Sequence, residues 1–235
     1  MAESRMLYEG KAKRIWSTDA AGQVIMDFKD DATAHNGLKR GQITGKGVVN
    51  ARVTAVLLTL LAAQGVATHF VRQMDDRRLE VRRLSMVPLE VVTRNIVAGS
   101  LAQRTGLPEG TDIPVPIVEI YYKSDALGDP LFNDEHVALV NAATPDELAQ
   151  LKSQARRVNQ LLSRFFAERD LLLVDFKLEF GRAGGQLVLG DEITPDTCRL
   201  WDRHTHEKLD KDRFRRDLGG VEDAYQEVLR RVVTP

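Results

Sequence analysis

An α+β fold is predicted, with a smaller antiparallel β-rich domain over residues 1–84 and a larger mixed α/β domain over 85–235, and three patterns predict it. Apolar residues tend to alternate through residues 7–29, as they do in strands with one buried face. A capped helix with a 3.6-residue apolar stripe starts after Thr144. Between Leu171 and Glu192 an apolar strand carries Asp175, Lys177 and Glu179 at alternate positions, so the three charges share one face, and a returning strand delivers Asp191 and Glu192 beside them.

The elements follow in order. Gly10 interrupts the first strands and Asp19 to Gly22 form a turn. Residues 46–64 place Val49, Val53, Val56, Leu57 and Leu60 on one helical stripe, with Gly65 at the C-cap. Residues 68–73 and 78–84 read as a hairpin. Ser85 to Pro88 is expected to be a crossover, because proline biases Val87 towards an extended backbone, and the domain boundary is placed there. The second unit is read as a strand at 89–94, a short helix after Ser100, a loop-rich stretch at 108–130 and the long helix, whose Thr144, Pro145 and Glu147 make a capping box. Strands at 174–180 and 186–190 flank a glycine-rich turn, and a helix at 221–232 closes the chain, with no internal repeat.

Composition narrows the function. At 235 residues and 43% hydrophobic content the chain can bury a real core. Net charge is −1 and the arginine clusters are interleaved with acids, so no nucleic acid partner is expected. The single Cys198 rules out an internal disulfide framework and a thiolate zinc cluster, and the first seven residues lack the apolar core of a signal peptide, so a cytoplasmic location is expected. The longest apolar run, residues 55–63, is broken by Thr59 and falls short of the roughly 20 residues of a membrane span, so no membrane partner is expected either.

Four segments could carry chemistry. Gly10, Lys11, Ala12 and Lys13 let backbone and ammonium groups approach a phosphate, although a hairpin with solvated lysines has the same composition. Glu90, Val92 and Arg94 alternate on one strand and lead to Gly99 and Ser100, where Ser100 and Gln103 have capping-box spacing and the helix start favours an anion. Among the clustered carboxylates, Glu179 and Asp191 are assigned to a metal ion, Lys177 to nucleotide phosphate and Asp175 to substrate, since magnesium takes one or two protein carboxylates. The loop at 194–202 offers Asp196 and Arg199 to a ligand, whereas Cys198 has no histidine base and reads as a bystander. His204 and His206 read as surface residues.

Taken in order, Tyr8-Glu9-Gly10-Lys11-Ala12-Lys13, Met86-Val87-Pro88-Leu89-Glu90, Arg94-Asn95 through Ala98-Gly99-Ser100, Asp175-Phe176-Lys177-Leu178-Glu179-Phe180-Gly181, Leu189-Gly190-Asp191-Glu192, and Thr194-Pro195-Asp196 before Arg199-Leu200-Trp201-Asp202 resemble the SAICAR synthetase family nearly end to end. The resemblance implies ATP in a cleft between the two domains. It also implies a ligase of purine biosynthesis that joins carboxyaminoimidazole ribonucleotide (CAIR) and L-aspartate, through an acyl phosphate, to give SAICAR, ADP and phosphate. By the same resemblance Lys11, Ala12, Lys13, Met86, Lys123 and Lys177 meet ATP, and Glu179 and Asp191 bind Mg2+. Glu90, Arg94, Ser100, Asp175, Asp196 and Arg199 are expected at the other substrates, with Lys13, Lys177, Glu179 and Asp191 at the catalytic centre. Asn36 and Lys46 receive no role, and a homo-oligomer, a dimer, is the expected assembly. Two rival readings use the same residues: a small-molecule kinase, and an inactive nucleotide-binding regulator.

Overall fold

The computed structural model describes residues 5–34 and 37–234. The first strands are β1 (Met6–Glu9), β2 (Lys13–Ser17) and β3 (Gln23–Phe28), followed by a separate hairpin of β4 (Asp31–Ala34) and β5 (Lys39–Gln42). Helix α1 (Lys46–Ala63) comes next, and then β6 (Phe70–Gln73) and β7 (Arg78–Arg82). The first sheet has the order β1-β2-β3-β7-β6, and all of its pairings are antiparallel.

Helix α1 departs from the single apolar stripe read in the sequence. Ala51 and Ala55 pack on Val24, Met26, Phe28, Leu79 and Val81 of the first sheet, while Val49, Val53, Leu57, Leu58 and Leu61 face the main core on the other side. A helix covered on two sides is apolar nearly all round. By length and composition α1 could therefore cross a bilayer, but most of it is buried inside the protein.

The second unit is built on β8 (Ser85–Ile96), followed by α2 (Gly99–Thr105), β9 (Asp112–Tyr122), β10 (Leu131–Phe132) and α3 (Asp134–Leu139). Then come α4 (Pro145–Ala167), β11 (Leu171–Ala183), β12 (Gln186–Gly190), β13 (Cys198–Asp202), α5 (Asp212–Arg215) and α6 (Val221–Val233). The sheet runs β10-β9-β8-β11-β12, with β13 also on β11. Helix α4 starts as predicted: Thr144 Oγ1 accepts from Glu147 N at 3.2 Å, and Glu147 Oε2 accepts from Thr144 N at 2.9 Å.

Prolines mark two departures from the sequence reading. Ser85 to Pro88, expected as a crossover, forms the start of β8, and Pro88 falls where the pairing of β8 with β11 breaks register between Glu179 and Gly181. A bulge tolerates the missing N–H that a regular ladder would not. Pro114 and Pro116 lie in β9, in the stretch read as loop, where the neighbouring β10 covers only Ile120 and Tyr121. An uncovered strand edge makes no demand on a proline nitrogen.

The division at residues 84 and 85 separates the two sheets, but the main core crosses it. Leu189 N donates to Ala67 O, and His69 N donates to Leu189 O, both at 2.9 Å. This bridge brings β12, with Asp191 just beyond it, against the segment that leads into β6.

Candidate active site

The middle of β11 positions the charges. Asp175 pairs across the sheet with Arg94 on β8 and with Arg199 on β13. Arg94 Nη1 and Arg199 Nη1 reach Asp175 Oδ2 at 2.9 and 2.8 Å, so the acid is clamped between two guanidinium groups. Arg94 is only 3% exposed. It also donates to Glu119 at 2.6 Å, to Ser100 Oγ at 3.0 Å and to Tyr121 Oη at 3.1 Å. Arg199 Nε is held by Asp212 at 2.8 Å. Burial disfavours both guanidinium charges, yet the acid partners outweigh it and hold both arginines above their ordinary pKa.

Ser100 reaches this cluster for a reason other than the one read in the sequence. Helix α2 has Ala98 at its N-cap with no side-chain cap bond, and Ser100 lies one position inside the helix with its hydroxyl turned to Arg94. Gly99, with φ of +51°, stands directly against the Arg199 guanidinium.

Two residues along the same face of β11, Lys177 donates to Glu90 at 2.8 Å and to Glu179 at 2.6 Å. Glu179, 2% exposed, also binds Lys123. From the first sheet Lys13 comes down onto Asp191 and onto Glu192, the latter at 2.7 Å. Burial opposes the ammonium of Lys13, but Asp191 and Glu192 outweigh it and keep the group firmly protonated. Burial alone would raise Asp191, but Lys13, Lys177 and Lys123 hold it well below the carboxylate range. Asp191 has φ of +56°, and its carbonyl accepts from His69 Nε2 at 3.0 Å. That bond puts the proton of a neutral imidazole on Nε2, and burial lowers the pKa of His69 to about 4.

These charges separate two cavities. One, about 510 Å3, is lined by Glu90, Arg94, Ser100, Asp175, Lys177 and Arg199, and also by Lys11 and Ala12. The other, about 560 Å3, has apolar walls that include Val24, Met26, Val81 and Met86, with Lys13, Lys123, Glu179 and Asp191 also lining it. Lys177 faces the first cavity and Glu179 the second, two positions apart. Lys11 and Ala12, expected beside Lys13 at the nucleotide, line the first cavity, and Lys11 Nζ pairs with Asp125 at 2.7 Å. Among the described residues no three histidine, cysteine or carboxylate groups form a metal cluster. Glu179 and Asp191 supply two hard oxygen donors, which matches the number of protein carboxylates magnesium usually takes.

Asp196 lines the first cavity but already has three partners. Its Oδ2 accepts from Lys46 at 2.6 Å and from Asn50 at 3.0 Å, and its Oδ1 from Tyr225 at 2.6 Å. The sequence left Lys46 without a role; it is 0% exposed and anchors this cluster. A lysine and an asparagine four apart on the innermost helix were its one local trace. Asn36 lies outside the described residues. Burial pushes the Cys198 thiol well above its ordinary value, so it is no nucleophile.

The same fold recurs in solved SAICAR synthetases. The phosphoribosylaminoimidazole-succinocarboxamide synthase of Ehrlichia chaffeensis superposes with a TM-score of 0.95 at 40% identity, over 98% of this chain and 100% of that one. A SAICAR synthetase in complex with ADP gives 0.94 at 47% identity, over 96% and 97%. The proteins of the same name from Pelodictyon phaeoclathratiforme and Deinococcus deserti are 57% and 53% identical over 233 residues, with 99% of this chain and 99% and 98% of theirs covered. Fold, site and relatives together define an ATP-dependent, amide-forming ligase. The family model described as SAICAR synthetase matches residues 6–232, and the chain belongs to that family.

Proposed function

We propose that the protein joins CAIR and L-aspartate at the expense of ATP, releasing SAICAR, ADP and phosphate, and that the carboxylate of CAIR is first activated as an acyl phosphate. The observation that carries this reading is the face of β11, where Asp175 and Lys177 line one cavity and Glu179, two positions further on, lines the other. The apolar cavity suits an adenine against Met86, with phosphates directed to Lys13, Lys123 and Lys177. The polar cavity suits the ribonucleotide, with its phosphate at Arg94, Ser100 and Arg199. Glu179 and Asp191 would hold Mg2+, which when bound supplies charge neutralisation for the transferring phosphoryl group.

The chemistry explains the equipment. A carboxylate repels nucleophiles and has no leaving group, so it must first become an acyl phosphate, a mixed anhydride from which an amine can displace phosphate. Phosphoryl transfer asks the protein chiefly for alignment and positive charge, which the lysines provide, and no protein nucleophile. The amine of aspartate then attacks the acyl carbon and phosphate leaves. Water must be kept out meanwhile, and the Gly10–Lys13 segment, whose Lys11 and Ala12 line the first cavity, would close over the phosphates to exclude it. The same reading places the protein in the cytoplasm as a homodimer.

A coupled assay of ADP release with each substrate omitted in turn separates this ligase from a kinase. The ligase needs CAIR and aspartate together for full turnover, whereas a kinase makes ADP with one acceptor, and a regulator makes none. Glu179→Ala is expected to lower ADP formation at least about 100-fold with the circular dichroism spectrum unchanged, with Glu179→Gln as the isosteric companion. Variants keeping a tenth of wild-type turnover would remove Glu179 from the metal site.

A further inference from the structure

The amino acid is the one substrate for which the residues above provide no contact. Most cations lining the first cavity are spoken for: Arg94 by Glu119 and Asp175, Lys177 by Glu90 and Glu179, Arg199 by Asp175 and Asp212, and Arg215 by Asp212. Lys211 is different. Its side chain lines the same cavity and is partly buried, and among the described residues its ammonium makes no hydrogen bond or ion pair.

Its backbone is nevertheless fixed. Lys211 N donates to Pro195 O at 3.1 Å, and Lys211 O accepts from Arg215 N at 2.9 Å at the start of α5. The acids nearest in charge are already engaged. Asp196 is taken by Lys46, Asn50 and Tyr225, and Glu192 by Lys13. Burial lowers the pKa of Lys211, and the attraction of Asp196 and Glu192, opposed by Arg215 and Lys46, does not reverse it. A half-desolvated ammonium with no partner gains from any anion that enters the cavity.

We propose that Lys211 anchors a carboxylate of the amino-acid co-substrate, an inference that rests on the ligase reading above. The position favours this anion over the ribonucleotide phosphate. The phosphate end is built from Arg94, Ser100 and Arg199, whereas Lys211 stands beside Asp196 and within the field of Glu192, whose partner Lys13 belongs to the transfer centre. A compact ammonium on a flexible stem suits a single carboxylate, and a fixed guanidinium fork suits a phosphate.

Steady-state kinetics of Lys211→Met, with each substrate varied in turn, tests the proposal. KM for aspartate is expected to rise at least tenfold, while KM for ATP and for CAIR stay within about twofold, and Lys211→Arg is expected to recover part of the loss. An unchanged KM for aspartate overturns the proposal, as does an equal rise in KM for CAIR, which would place Lys211 at the phosphate, or a fall in kcat alone. Lys211→Gln, which keeps the stem and its packing, must reproduce the split if Lys211→Met fails to fold. A wild-type protein that makes ADP without aspartate would defeat the ligase reading itself. An aspartate-dependent enzyme indifferent to Lys211 defeats only the anchor.

Discussion

Asp210 is a fully buried carboxyl that accepts from the backbone nitrogens of Leu200 at 2.9 Å and Asp212 at 2.7 Å. Asp212, beside it, binds Arg199 and Arg215. Burial, with the charge of Asp212 added, raises Asp210 to about 7, while the two arginines overcome burial and keep Asp212 ionised. In the window between the ordinary carboxyl pKa and about 7, the folded chain therefore binds more protons here than the unfolded chain. The contribution of this group is fully present below about pH 4 and is lost as the pH rises through about 7. Urea unfolding at a series of pH values is expected to show wild-type stability falling across that window, by up to about 1.4 kcal/mol per pH unit, relative to Asp210→Asn. Parallel profiles for the two proteins would show that Asp210 is ionised throughout. The group matters beyond stability, because the turn it organises carries Asp212, the partner of Arg199, and Lys211.

The junction of β8 and α2 shows how an element boundary can build a binding site. Gly99 has φ of +51°, and a Cβ there would collide with the Arg199 guanidinium, which Asp175 and Asp212 hold in place. Gly99→Ala is expected to cost about 1 to 2 kcal/mol in stability from the left-handed backbone and to raise KM for CAIR about tenfold or more by displacing Arg199. Weakened stability with an unchanged KM would detach Arg199 from the ribonucleotide. Elements with local determinants were legible in the sequence: α4 through Thr144, Pro145 and Glu147, and β11 through the alternation of Asp175, Lys177 and Glu179. Elements decided by their place in the sheet were not. Pro88, Pro114 and Pro116 argue for loops until a register break and an uncovered edge supply positions where their missing N–H costs nothing. The spacing of Ser100 to Gln103 suggests a capping box, whereas in the structure the Ser100 hydroxyl accepts from Arg94. Lys46 and Asp196 lie 150 positions apart, and no local pattern can announce such a pair.

At the scale of the molecule, the two sheets are physically distinct but share their stabilisation. Helix α1 packs against the first sheet with Ala51 and Ala55 and joins the main core with Val49, Val53 and Leu57. The Lys46–Asp196–Tyr225 cluster then ties α1 to α6 through the loop before β13. A division at residues 84 and 85 should thus describe two lobes around a site and one unit of unfolding. The two tryptophans permit a direct test, since Trp16 lies in β2 of the first sheet and Trp201 in β13 of the second. Trp16→Phe and Trp201→Phe each leave one reporter, and the melting curves of the two single-tryptophan proteins are expected to coincide with each other and with far-ultraviolet circular dichroism once each is referred to its own stability. Lys46→Met, introduced into both, leaves a buried carboxylate without its cation and should cost roughly 3 to 5 kcal/mol. For a chain of this length each kcal/mol lowers Tm by about 2 to 4 °C, so both reporters should shift together by roughly 6 to 20 °C. Two transitions in either protein, or a Lys46→Met shift seen by one tryptophan alone, would mean that the sheets unfold separately and that α1 belongs to only one of them.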